Sequence, residues 1–493
     1  MGIIKKQGIQ NTLISYSGII LGFISLVVLQ PLLLKPEELG LTRILFSFSV
    51  VVATIIPLGV SNITIRFFSL FSEPSKKHHG YFGFLVVFPL LGFILVSLLL
   101  YLFQPFFIAQ YSKQSKLFAD YFAYVFPLSF CIALVSVFTS YCAALFKTTF
   151  PVFLNDILVR VVSLLLFSIY FLKWISIDTL VVLFVAIYGV QVLSLLFYIF
   201  KIDKPGIKVD WPFFKENKVK TLVEYGLLFS IAAIAGIGLR YIDSVIIGMY
   251  LPLASVGVYA IAALIPTVIE APLAAIEKIS NPAIAKEWEN GNINELTKVY
   301  YQSTKYLMVI GGLLFIGINI NIQSVQNLLP VAYRQIVDVV GIISLGSLIN
   351  VSTGVNSSII YLSKKYKAGL LMLLMLFLVT IVLNIILIPK YGLIGAAASN
   401  AIAAILFNGA KFFFLYNRYK MQPFNKTIFY VLLLIVSCFI LNRLLPCLSN
   451  EIADIAYRSV IISLIYVLVI HKLAIIPETE EYLTKWKLRF LKK

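Results

Sequence analysis

The amino-acid sequence predicts an all-α, polytopic membrane protein of about fourteen transmembrane helices, with no soluble domain of any size. Three observations predict it. Of its 493 residues 60% are hydrophobic and 13% charged, against roughly 25% charged in an average globular chain, and the mean hydropathy is +0.96. A membrane crossing needs about 20 mostly apolar residues to match a hydrocarbon core of about 30 Å, so this length with short loops holds roughly fourteen. The basic residues, finally, recur in every second loop.

Span 1 follows Lys5 and Lys6 and runs from near Thr12 to Leu34, too long for a signal-peptide core and without a small-residue cleavage site. Span 2, near 41–65, opens on KPEELG, where Glu37 and Glu38 suit the positive end of a helix dipole. Spans 3 to 6 lie near 81–103, 119–145, 152–172 and 177–200, and His78 and His79 are expected as solvated residues of the loop before span 3. The connection Lys201 to Lys220, KIDKPGIKVDWPFFKENKVK, mixes Pro, Gly and charge, and reads as a linker. Spans 7 and 8 follow near 222–249 and 253–279. Span 9 (304–325) and span 10 (336–361) are the least clean, because Asn319, Asn321, Gln323, Gln326 and Asn327 interrupt the apolar run, so span 9 could be re-entrant. Spans 11 to 14 lie near 368–388, 393–416, 428–446 and 455–471. The tail from Thr479 is expected as a short helix on the inner surface, with Leu483, Trp486 and Phe490 on one face.

With the N-terminus inside, the inward loops and both termini hold about 29 of the 40 Lys and Arg, Lys411 among them, and the outward loops about nine. This places both termini in the cytoplasm. The net charge of +18 follows from that bias, with attraction to anionic membrane lipids; nucleic-acid binding would need a solvated basic domain, and there is none. Cys131, Cys142, Cys438 and Cys447 form no CxxC pair, so neither a disulfide framework nor a structural zinc site is expected.

The pattern restarts after Lys220: lysines introduce span 7 as they introduce span 1, and the first outward turns of both units carry a glycine, Gly40 and Gly257. The expected organisation is an N-terminal lobe (1–200), a cytoplasmic linker (201–220), a C-terminal lobe (221–420), and helices 13 and 14 with a basic tail (421–493). Pro57, Pro127, Pro266 and Pro272 lie inside spans, where they tend to kink a helix.

An ionisable residue inside a span costs roughly 2.5 to 3.5 kcal/mol on insertion scales and should face a polar interior. Asp156 and Arg160 are spaced four apart and Arg240 and Asp243 three apart, so each pair can meet on one helical face. Glu270 has no local basic partner, and Arg66 lies at the inner end of span 2. One reading is a pair of intrahelical ion pairs that make insertion tolerable. The other is a cationic cavity of Arg160, Arg240 and Arg66, since arginine donates paired hydrogen bonds to phosphate, with Glu270, Asp243 and Asp156 as candidates for coupling to H⁺ or Na⁺.

The stretch DSVIIGMYLPLASVGVYAIA (Asp243 to Ala262) resembles the turn between helices 7 and 8 of polysaccharide transporters. LNIILIPKYGLIGAAAS (Leu383 to Ser399) resembles their turn between helices 11 and 12, and NPAIAKEWENGNINELTKVYYQSTKY (Asn281 to Tyr306) their loop between helices 8 and 9. These are the Wzx-like oligosaccharide-lipid flippases of the multidrug/oligosaccharidyl-lipid/polysaccharide exporter superfamily. The resemblance implies two six-helix lobes around a V-shaped, MATE-like cavity in a bacterial cytoplasmic (inner) membrane. It implies flipping of an undecaprenyl-pyrophosphate-linked oligosaccharide by alternating access, with a polysaccharide polymerase and chain-length proteins as partners. The implied product is O-antigen, capsule or exopolysaccharide, and the only cofactor a coupling ion. Span 1 lacks the arginine that peptidoglycan lipid II flippases carry, which favours a surface-polysaccharide unit. The alternatives are a drug or metabolite cation antiporter of the same superfamily and a membrane glycosyltransferase or polymerase, suggested by Glu37 and Glu38. No outward loop clearly exceeds about fifteen residues, too little for such an enzyme, so the expectation is a transporter and not an enzyme.

Overall fold

In a computed structural model, residues 2–216, 219–424, 426–473 and 475 are described, and all regular structure among them is helical. The predicted tail helix from Thr479 lies outside them. Helix α1 is Gln10–Leu33, α2 Pro36–Ile55, α3 Tyr81–Ser112, α4 Lys116–Ala144, α5 Thr149–Phe171, α6 Ile177–Ile202 and α7 Leu222–Tyr250. Helix α8 is bent by 47° between Leu253–Leu264 and Thr267–Glu289, at the predicted Pro266. Helix α9 is Ile293–Leu328, α10 Val337–Ser352, α13 Lys426–Leu444 and α14 Glu451–Lys472.

The 54-residue helix Tyr366–Tyr419 breaks at Gly392, whose φ of 60° and ψ of −137° are open only to glycine. It therefore supplies two crossings, α11 (366–391) and α12 (393–419). Among the described residues eleven helices are long and apolar enough to cross a membrane, or twelve with the bent α8; the break at Gly392 and the shorter apolar α10 make this roughly compatible with the expected count of about fourteen for a multi-pass membrane protein. The interrupted ninth span is one unbroken helix of 36 residues. Its polar residues gather at one end and find partners: Asn321 Nδ2 donates to Ser459 Oγ (2.9 Å), Asn327 Nδ2 to Glu451 Oε1 (2.8 Å), and Gln326 Oε1 accepts from Ile336 N (3.2 Å).

The chain divides into two compact units: residues 1–261 with 377–396, and residues 262–376 with 397–493. In the first, α2 is enclosed, with Leu39, Leu41, Ile44 and Leu45 wholly buried. Side-chain-free positions allow this. A Cβ on Gly40 would collide with the Leu253 carbonyl oxygen, and one on Gly257 would stand 2.5 Å from the Pro36 carbonyl. Between lipid-solvated helices, close backbone approach and van der Waals contact replace the hydrophobic effect as the source of association. Helix α2 breaks at Pro57, where Leu58 and Gly59 turn left-handed (φ 48° and 84°), and resumes as Val60–Phe67. At that end an aromatic cluster of Phe68, Phe71, Tyr81, Phe84, Tyr141 and Phe214 is buried. In the second unit α9 packs with α13 and α14 around Met308, Ile316, Ile435, Ile462 and Tyr466. Helix α3 leaves Leu91, Ile94, Leu95, Leu98 and Leu102 exposed, a surface that only lipid can cover without cost.

Candidate functional site

Asp156 and Arg160 each take a partner on α1 rather than one another. Helix α5 contains a π-helical turn, Leu154–Leu158, which holds Asp156 and shifts the register on which an i, i+4 contact depends. Asp156 Oδ2 instead accepts from Ser15 Oγ of α1 (2.8 Å), and Arg160 Nη1 donates to the Gly18 carbonyl. Gly22, one turn further along α1, leaves the space into which the Arg160 guanidinium fits.

Beside Arg160 stands a second arginine that span-by-span reading passed over. Arg43 of α2 donates from Nη2 to Gln30 Oε1 (2.5 Å), and Gln30 Nε2 is tied to Ser25 Oγ (2.9 Å). Arg43 lies within electrostatic range of Arg160, Tyr188 and Tyr241, and its enclosed Nε has no hydrogen-bond partner. Phe46 separates the two tyrosines, 5.8 Å from each ring. Two like charges and an unsatisfied buried N–H in one interior make a place where an anion lowers the energy. The signal was present in the sequence: an arginine in span 2 with no acid one turn away. Arg240 is exposed on α7, next in sequence to Tyr241. Arg66 sits apart, its guanidinium 4.6 Å above the Tyr225 ring.

Asp243 has partners beyond its own helix. Its buried carboxylate accepts from Tyr259 (2.7 Å) and from Asn384 Nδ2 of α11 (2.6 Å). Asn384 is fully buried, and its Oδ1 has no hydrogen-bond donor. A carboxylate and an unsatisfied amide oxygen side by side form an oxygen-rich niche suited to a small hard cation or a proton.

In the second unit Glu270 is not without a base, as the sequence had implied. Lys411, expected in a basic inward loop, is buried (2% exposed) and interacts electrostatically with Glu277 and Glu270. Its Nζ donates to Ser357 Oγ (2.9 Å) and lies 4.1 Å from the Phe407 ring centre, and Ser358 donates to Glu277 (3.2 Å).

His78 and His79, expected in solvent, are buried (2% and 6% exposed). His78 Nε2 meets Asp203 Oδ1 at 2.9 Å, and Asp203 also accepts from Tyr141. The His79 ring stacks on Phe213 at 3.6 Å, with Nδ1 3.2 Å from Asp210 and Nε2 3.1 Å from Glu73. Hydrogen bonding from Lys76, helped by His79 and Ser75 and opposed by burial, holds the Glu73 carboxyl below its usual range. Glu38, one of the two acids that had suggested an enzyme, caps α2 by accepting from Lys35 N (2.8 Å) and takes the Tyr170 hydroxyl (2.8 Å). Among the described residues no group of three His, Cys, Asp or Glu is arranged to hold a metal ion.

No family model and no curated protein matches the sequence. Solved structures do match the fold. The structure described as "Lipid II flippase MurJ, inward closed conformation" superposes with a TM-score of 0.71 at 16% identity, over 94% of this chain and 99% of that one. An inward-facing multidrug resistance MATE family transporter of the MOP superfamily gives 0.63 at 12% identity, over 82% and 94%. A point mutant of the Vibrio cholerae MATE transporter VcmN gives 0.56 at 14%, over 86% and 99%. The chain has the MurJ- and MATE-like fold of membrane transporters.

Proposed function

We propose that this protein is a flippase that carries an undecaprenyl-pyrophosphate-linked oligosaccharide, a surface-polysaccharide repeat unit, from the inner to the outer leaflet of a bacterial cytoplasmic membrane by alternating access. The observation that carries this reading is the pairing of Arg43 with Arg160 inside the first unit, with an unsatisfied Arg43 Nε. A pyrophosphate finds opposite charge there and gains planar, two-pronged hydrogen bonds. The fold shared with a lipid II flippase supports a lipid-linked cargo. The absence of a charged residue between Thr12 and Leu34 favours a polysaccharide unit over lipid II. An apolar groove of about 370 Å³ between α13 and α14, lined by Leu433, Leu441, Ile465 and Val469, suits a prenyl tail.

Arg240 extends the cationic surface, and Asp243 with Asn384 is the favoured coupling site for Na⁺ or H⁺, with Glu270 and Asp156 as further candidates. The two six-helix lobes, the cytoplasmic termini, and association with a polymerase and chain-length proteins belong to the same proposal. A cation antiporter is the second reading, because MATE transporters share the fold; the two arginines disfavour a cationic substrate. Purified protein in vesicles distinguishes them. The proposal expects translocation of a prenyl-pyrophosphate oligosaccharide, lost in an Arg43→Ala/Arg160→Ala double variant. Movement of lipophilic cations alone overturns it.

A further inference from the structure

We infer that His79 is a pH-sensitive clasp that fastens the chain between α6 and α7 onto the loop between α2 and α3. Both strands of the clasp are built for one another. Residues 77–80 are four consecutive left-handed residues, with φ of 50° at Lys77, 54° at His78, 51° at His79 and 70° at Gly80. Three of them are not glycine, so contacts must hold the loop in shape. The 204–214 segment supplies them. Asp210 N donates to the His79 carbonyl (3.1 Å) and Gly206 N to the Lys77 carbonyl (3.4 Å), while a Cβ on Gly80 would strike the Lys208 carbonyl. Phe214 anchors the segment among Phe71, Tyr81 and Phe84.

The two histidines differ in what they require. His78 has a carboxylate at Nε2 only, and its enclosed Nδ1 has no partner. A neutral ring with its proton on Nε2 satisfies that arrangement. His79 has a carboxylate at each nitrogen, Asp210 and Glu73. A neutral imidazole carries one N–H, so one of these contacts becomes lone pair against carboxylate; the imidazolium donates to both. The charged groups around the ring are Glu73, which Lys76 also pairs at 3.0 Å, Asp210, and the His78–Asp203 pair; Lys77 and Lys208 flank the crossing, and the buried phenols of Tyr81 and Tyr141 border it. Acid closes the clasp. A deprotonated His79 ring donates to only one of its two carboxylates, and the segment loosens.

Hydrogen exchange of the amides of residues 204–214, corrected for intrinsic rate, reads this at about pH 6 and about pH 8.5 on the full-length protein in detergent. The loss of one charge-assisted bond should lower protection by about tenfold or more at the higher pH. His79→Gln should abolish the step, leaving the segment open at both values. In Glu73→Gln a neutral ring can donate to Asp210 and accept from the new amide, so this variant should stay closed at both; Glu73 is half exposed, so the fold tolerates the change. A wild type without the step, a His79→Gln protein that retains it, or a Glu73→Gln protein that opens like wild type each overturns the inference. It does not depend on the transported substrate.

Discussion

Gly40 and Gly257 pack against the same crossing from opposite sides: the Cβ site of Gly40 is occupied by the Leu253 carbonyl, and that of Gly257 faces the Pro36 carbonyl and Gly40 N. These are the two glycines matched in the sequence as the first turns of its two expected lobes. Their reciprocal contact makes a backbone-to-backbone crossing between the start of α2 and the start of α8.

That crossing should be intolerant of any side chain. Gly40→Ala forces a methyl group against a carbonyl and should lower stability by about 1 to 3 kcal/mol, as overpacking does. Gly189 of α6 has nothing within 4 Å of its Cβ site, so Gly189→Ala should leave stability unchanged or slightly raise it. Thermal midpoints of the two variants in detergent check the contrast, which fails if both fall equally.

Gly22 should matter through Arg160. Gly22→Leu displaces the guanidinium from the space that α1 leaves for it, and it should reduce transport at least as much as Arg160→Ala, by about tenfold or more, while the protein still inserts. Normal transport by Gly22→Leu would show that the position of Arg160 is immaterial.

Asp243 and Asn384 should act together. Asp243→Asn and Asn384→Ala should each remove the response of transport to an imposed Na⁺ or H⁺ gradient, and the double variant should be no worse than either, because both dismantle one niche. Additive losses measured in vesicles would separate the two residues.

Lys411 should be needed for folding more than for transport. Lys411→Met leaves Glu277 and Glu270 without their buried base and should destabilise by about 3 to 5 kcal/mol, whereas adding Glu277→Gln should recover part of the loss. Glu270→Gln should slow gradient-driven translocation if Glu270 contributes to coupling; an unchanged rate excludes it.

Apolar runs made the membrane helices legible in the sequence, since apolar content is a local property. Partner choice was not local. Asp156 and Arg160 were matched by i, i+4 spacing, but the π-helical turn at 154–158 turns them toward α1, and no residue pattern announces such a turn. His79 is buried by residues 131 and 6 positions away, and only folding brings Asp210 and Glu73 to it. Lys411 looked like loop charge because it lies near a span end, though its acids are on α8. Arg43 was the readable omission, an unpaired arginine in an otherwise apolar span.

Depleting the protein in its parent cell and analysing the polyprenyl lipids tests flippase action most directly. An undecaprenyl-pyrophosphate-linked oligosaccharide should accumulate on the inner leaflet, cleared by the wild-type gene and not by an Arg43→Ala/Arg160→Ala variant. A depleted cell that keeps exporting its surface glycan, with no such lipid accumulating, would contradict the account.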